Sequence, residues 1–233
     1  MAGWNDFLTE RDKQHIAMWG KKELDGFGRR PALLVVDMFY AALGHERKPI
    51  LESIRYWPMS CGLDGWEAVD RTVGLIEAAR ANSVPVIYVR ALPGFPNDWF
   101  RRSRGLDRTP IEKRKLANEI VAELAPQPGE LIIEKTSASA FAGTPLVYHL
   151  RAIGTDTLIV CGETTSGCVR AAVVDGVTLR YRIGIVGECC FDRTQSSHWI
   201  NLFDMHQKYG DVIDVKTATT YFSSINHDRQ SQT

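Results

Sequence analysis

Short β-rich runs alternate with longer segments of helical period along most of this chain, and that alternation limits its folds more than any other feature. The strand candidates are residues 32–37, 84–90, 131–135, 157–162, 182–188 and 211–216. Their Val, Ile and Leu content suits strands buried on both faces. Between them the spacing predicts helices over 66–82, 111–124, 144–153, 168–181 and 196–208. In the first, Val69, Val73, Ile76 and Ala79 trace an apolar stripe, while Glu67, Asp70, Arg71, Glu77 and Arg80 face elsewhere. Repeated β-α units call for a mostly parallel six-stranded sheet with helices on both faces, a Rossmann-like three-layer α/β/α sandwich. In such a sheet, ligands bind beyond the carboxyl ends of the strands.

At 233 residues, with no linker rich in Ser, Gly or Pro, one core is the simplest organisation. Residues 1–25 form an N-terminal extension expected to be helical, 26–222 the domain, and 223–233 a polar tail. The formal charge is zero, which argues against nucleic acid as the main partner; the local basic stretch from Arg101 to Lys115 reads as a solvated loop or subunit contact. The N-terminus lacks the apolar core of a secretory signal, and no apolar run reaches the roughly 18 residues a bilayer span needs. Five cysteines, an odd number without paired spacing, fit neither a disulfide framework nor a metal knuckle, so a cytoplasmic setting is expected. No cofactor is expected.

The chemistry concentrates at strand ends. Asp37 closes the apolar run Ala32-Leu33-Leu34-Val35-Val36, Lys135 closes Leu131-Ile132-Ile133-Glu134, and Cys168 follows a third run through a turn of small polar residues. A cysteine at a helix start meets unpaired amides and the positive end of the dipole, which favour the thiolate and can hold an oxyanion. Neighbouring parallel strands lie about 4.8 Å apart, so side chains at the same ends can meet. A carboxylate can then take the thiol proton, an ammonium can orient both, and the thiolate can attack a carbonyl carbon. The dull alternatives are that Asp37 caps the next element, Lys135 is a solvated strand end and Cys168 is a core residue.

Asp37 after its strand, Glu134-Lys135 followed by Ser137-Ala138-Ser139-Ala140-Phe141-Ala142-Gly143-Thr144, and Gly162-Glu163-Thr164-Thr165-Ser166-Gly167-Cys168-Val169-Arg170 together resemble the isochorismatase-like cysteine hydrolases. The likeness runs from about Gly26 to Tyr221 and is strongest to the N-carbamoylsarcosine and maleamate amidase branch. It implies that Asp37, Lys135 and Cys168 are the catalytic triad. It also implies a cis peptide between Glu163 and Thr164, aiming the Thr164 N–H at the oxyanion beside that of Cys168; a plain turn is the alternative for Thr164. Such enzymes release ammonia from a small linear amide, carbamoyl or ureide compound through a thioester or S-carbamoyl intermediate, and commonly assemble as homodimers or homotetramers. The resemblance gives Arg193 a grip on a substrate carboxylate, a role its planar fork suits; the alternative is a surface salt bridge with Asp192 or another acid. Phe39, Tyr40, Trp57, Trp66 and Trp99 are candidate pocket residues; the alternative for these isolated aromatics is core or interface. Nicotinamidases of the same superfamily carry a metal site with an Asp-x-His pair downstream of the catalytic Asp; the corresponding region here, 88–100, has no histidine, so the resemblance implies no bound metal. A reading from another class is a thiol sensor or ligand-binding module built on Cys168.

Overall fold

The computed structural model describes residues 3–20, 22–92 and 116–230. Its six strands are β1 (Pro31–Val36), β2 (Val86–Ala91), β3 (Leu131–Lys135), β4 (Thr157–Glu163), β5 (Arg182–Phe191) and β6 (Asp211–Ile213). They form one sheet in the order β3-β2-β1-β4-β5-β6, and every neighbouring pair is parallel. The chain starts at the centre, builds outward through β2 and β3, then returns to the other side of β1 to lay down β4. The strand order reverses between β1 and β4, where a doubly wound sheet leaves a crevice at its carboxyl edge.

The described helices are α1 (Glu10–Trp19), α2 (Tyr40–Leu43), α3 (Ile50–Ser53), α4 (Leu63–Ala81), α5 (Leu146–Ala152), α6 (Arg170–Thr178), α7 (Gln195–Lys208) and α8 (Val215–Gln230). Alternation along the central strands feeds two cores. Leu33, Val35, Ile159 and Cys161 meet Trp66, Leu75 and Ile76 of α4 and Phe222 of α8. Ala32, Leu34, Leu158 and Val160 meet Leu150 of α5, Val173 of α6 and Met205 of α7. Both faces of β1 are therefore apolar, which is why its six residues are all buried. None of the described helices is long and apolar enough to cross a membrane.

Several element bounds differ from the sequence reading, each for a local reason. Residues 116–124 of the expected helix over 111–124 form a turn and a short 3-10 helix (Ala122–Leu124), because the carbonyls of Ala117 and Glu119 accept from the amides of Ala41 and Tyr40. The rest of that helix and the basic stretch lie largely in 93–115, outside the described residues, as does Trp99. β6 stops at Ile213 rather than 216, since the Asp214 carboxylate accepts from Thr217 N (2.7 Å) and opens α8. α8 itself continues through residues 223–230, which the sequence assigned to a polar tail. Before the sheet begins, α1 opens with a capping box between Thr9 and Asp12, and Lys22 forms an ion pair with Asp211.

β1 and β4 approach closely at the crevice. Gly162 opposes Val36, has φ +122°, and a Cβ placed on it would lie 1.9 Å from the Val36 carbonyl oxygen. Only glycine fits. Gly162→Ala is expected to cost more than about 4 kcal/mol in urea unfolding. Gly74→Ala, in the exposed middle of α4 with nothing within 4 Å, is expected to gain about 0.5–1 kcal/mol. Similar stabilities for the two variants would refute the close approach.

Candidate active site

Asp37 is the first residue beyond β1 and retains a sheet bond, its amide donating to the Val89 carbonyl (2.9 Å). Its φ is +53°, in the left-handed region, which aspartate tolerates better than most residues and which is often met at functional sites. Lys135 ends β3, two strands away, about 10 Å by the usual interstrand spacing. Its extended side chain crosses the end of β2 and brings Nζ to 2.8 Å from Asp37 Oδ2, 3.2 Å from Cys168 Sγ and 3.1 Å from the Ser137 carbonyl oxygen. Three acceptors match the three protons of an ammonium. The structure thus brings Asp37, Lys135 and Cys168 together, a convergence that the strand-end spacing alone left open.

Asp37 and Lys135 are 2% and 6% exposed. Removing such a pair from water is costly, so its presence points to chemistry more than to stability. Burial pushes the Asp37 carboxyl up from its ordinary range, opposed by the Lys135 ammonium and by the Cys168 thiol. Burial lowers the affinity of Lys135 for its proton, but its interactions with Asp37 and Cys168 outweigh it and leave the ammonium more basic than usual. Asp37 Oδ1 is buried and has no hydrogen-bond partner among the described residues, which leaves one carboxylate oxygen to receive a proton.

Cys168 departs from the sequence expectation in two respects. It sits inside a π-helical turn, Thr165–Val169, with α6 beginning only at Arg170, so it is not the first residue of an α-helix. Burial, followed by the Asp37 carboxylate, pushes its thiol up rather than down, and Lys135 only partly opposes them. The resting sulfur is a thiol beside a base. Of the five cysteines it alone is not fully buried.

The turn around the sulfur is pinned from three sides. The Thr164 carbonyl accepts from the amides of Gly167 (2.9 Å) and Val169 (3.2 Å), which flank Cys168. The Ser166 amide donates to Asp192 Oδ2 at 2.8 Å, and Thr165 Oγ1 shares a hydrogen bond with His198 Nδ1 at 2.8 Å. Burial lowers the His198 pKa, favouring the neutral ring. The Glu163–Thr164 peptide is cis. The sequence reading treated Asp192 only as a partner for Arg193 and did not single out His198. Asp192, a charge directly after an apolar strand, carries the same signal that marked Asp37; nothing in the helical pattern of α7 marked His198.

Arg193 donates from Nε to the Met59 carbonyl (2.8 Å) and from Nη2 to Glu163 Oε2 (3.3 Å). The guanidinium thus pairs with an acid, Glu163, in a largely buried contact rather than at the surface. Phe39 forms an isolated bridge with Ile120, and the Tyr40 ring lies 5.2 Å from that of His45. Trp57 and Trp66 are buried, Trp66 beneath the Arg47 guanidinium. Among the described residues, no group of three or more His, Cys, Asp or Glu side chains could hold a metal ion.

Residues 31–217 match the isochorismatase domain. Maleamate amidohydrolase from Pseudomonas putida is 36% identical over 219 residues, 92% of this chain and 95% of that protein. N-carbamoylsarcosine amidase from Arthrobacter sp is 34% identical over 218 residues, 88% of this chain and 76% of that protein. A cysteine hydrolase structure from Pseudomonas syringae pv. phaseolicola 1448A shares the fold, with a TM-score of 0.72 at 23% identity over 88% of this chain and 100% of that one. Because the domain match runs unbroken from β1 into α8 and takes in all three strand-end residues, the chain belongs to the isochorismatase family.

Proposed function

We propose that this chain, an amidohydrolase of the isochorismatase family, cleaves a C–N bond of a small linear amide, carbamoyl or ureide compound with Cys168 as nucleophile. The contact of the buried Lys135 ammonium with both Asp37 and Cys168 carries the reading. Asp37 takes the thiol proton as sulfur adds to the carbonyl carbon, and Lys135 holds the carboxylate in place while its negative charge passes by way of the sulfur to the carbonyl oxygen. The developing oxyanion is held by the amides of Thr164 and Cys168. Collapse expels ammonia, which leaves with the proton held by Asp37. A water molecule then gives a proton to Asp37 and its oxygen to the thioester or S-carbamoyl carbon, and the thiol is restored.

The same proposal includes a homodimer or homotetramer in the cytoplasm. Met18 and Trp19 of α1 are 90% and 76% exposed, and no residue of that helix is buried, so the N-terminal helix offers apolar surface for assembly.

The test is ammonia release by the purified protein from N-carbamoylsarcosine, maleamate, triuret, biuret and nicotinamide, before and after iodoacetamide treatment. Release from at least one compound is expected, disappearing as one equivalent of label accumulates on Cys168 by peptide mapping. Activity that survives complete labelling of Cys168, or silence on every compound, would refute it.

A further inference from the structure

One residue that the triad does not use but that interacts electrostatically with it is a buried acid. Glu163, the last residue of β4, is 6% exposed; it feels the charge of Asp37, and its own charge acts on Cys168. Register fixes what stands beside it: Glu163 pairs with Phe191 across β4 and β5, and Arg193 lies two residues further on. The Arg193 guanidinium is held between Met59 and Glu163 rather than extended on a free side chain. Cys61 Sγ approaches the same Glu163 oxygen at 3.9 Å and closes that side with a weak donor.

We propose that Glu163 determines specificity by neutralising Arg193, so that this site selects a neutral carbamoyl compound, offering a carbonyl to the guanidinium and an N–H to the carboxylate, over a substrate bearing its own carboxylate. The proposal rests on the amidohydrolase reading and narrows its substrate class. Three observations carry it. First, Arg193 Nε is already occupied by the Met59 carbonyl and Nη2 by Glu163, so the side of the fork that a carboxylate would grip through that pair of nitrogens is closed. Second, the charged groups acting on Glu163 are Arg193, Asp37, Lys135 and Asp192. With Glu163 itself, three carboxylates face two cations, and an incoming anion would add to the excess. Third, a guanidinium beside a carboxylate presents adjacent donors and acceptor, the complement of the acceptor and donors in a –CO–NH– group. A lone arginine would complement an acid instead.

The experiment compares two ligands of nearly equal size, N-carbamoylglycine and its neutral amide N-carbamoylglycinamide, by calorimetric titration of Cys168→Ala protein. It is run at pH 8.5, above the value of about 7 to which burial pushes the Glu163 carboxyl. The amide is expected to bind at least tenfold more tightly than the acid. Adding Glu163→Gln, which keeps the shape and removes the charge, is expected to shift the ratio at least tenfold toward the acid. Adding Arg193→Gln instead is expected to move it no closer to the acid. Each ratio is measured within one protein, so a change in the folded fraction cancels. Equal or tighter binding of the acid without the second substitution, an unchanged ratio in the Glu163→Gln protein, or no binding of either ligand would overturn the proposal. Ammonia release by the unsubstituted protein decides the amidase reading separately, so either idea can fail alone.

Discussion

Cys168→Ala is expected to lower ammonia release by a factor on the order of 10⁶, as when the nucleophile is removed from a triad acting as one unit. Asp37→Asn is expected to lower it by about 10³–10⁴, the upper range for a positioned general base. Asparagine is the informative replacement because it keeps the shape of aspartate and also tolerates the φ of +53° found at this position. The two effects should not add. Sulfur is of little use without a base to take its proton, because burial and the neighbouring carboxylate hold the thiol protonated at rest; the base has nothing to activate without sulfur. Cys168→Ala combined with Asp37→Asn is therefore expected to be no slower than Cys168→Ala alone. Multiplicative losses in the double variant would mean that the two residues serve separate steps. Near-wild-type turnover in Asp37→Asn would remove Asp37 from the mechanism.

The candidate cluster was legible because charge stands out where apolar strands end. Asp37 and Lys135 each terminate a run of aliphatic residues, and a parallel sheet brings such ends to one edge whatever the loops do. Whether the three met was settled only by the strand order, which places β3 two strands from β1 and leaves a lysine long enough to span the gap. The π-helical turn was hidden because small polar residues between a strand and a helix allow several turn geometries; the choice is made by Asp192 and His198 from distant elements. The Glu163–Arg193 pair was hidden for the same reason. It depends on the register of β4 against β5 and on the Met59 carbonyl, contacts between residues 30 and 134 positions apart in the chain. Residues 116–119 satisfy a helical pattern in isolation, yet they give two carbonyls to the segment after β1, and tertiary pairing overrode local preference.

Lys135→Met is expected to destabilise the fold by about 3–5 kcal/mol at pH 9, because it leaves the Asp37 carboxylate buried without its counter-charge. The loss is expected to shrink toward pH 5, and its sign follows from the pKa directions. Burial already raises the Asp37 carboxyl above its ordinary value of 3.8, with Lys135 the foremost opposing influence; without the ammonium it rises further. A carboxyl whose folded-state pKa is raised contributes its full stability below the unfolded value and loses it as pH climbs through the folded one. The variant therefore weakens from acid toward alkali. In the unsubstituted protein, Lys135 is raised above 10.5, so its own contribution is complete below that value and stays level between pH 5 and 9. The difference between the two proteins must then widen with pH, which urea unfolding at pH 5, 7 and 9 reads directly. Glu163 also feels Lys135, so the decisive control is Lys135→Met with Asp37→Asn. Removing the orphaned charge is expected to restore most of the lost stability at pH 9 and to flatten the pH dependence. A deficit that is the same at all three pH values, or that persists in the double variant, would mean that the ammonium supports the fold through packing and not as the partner of Asp37.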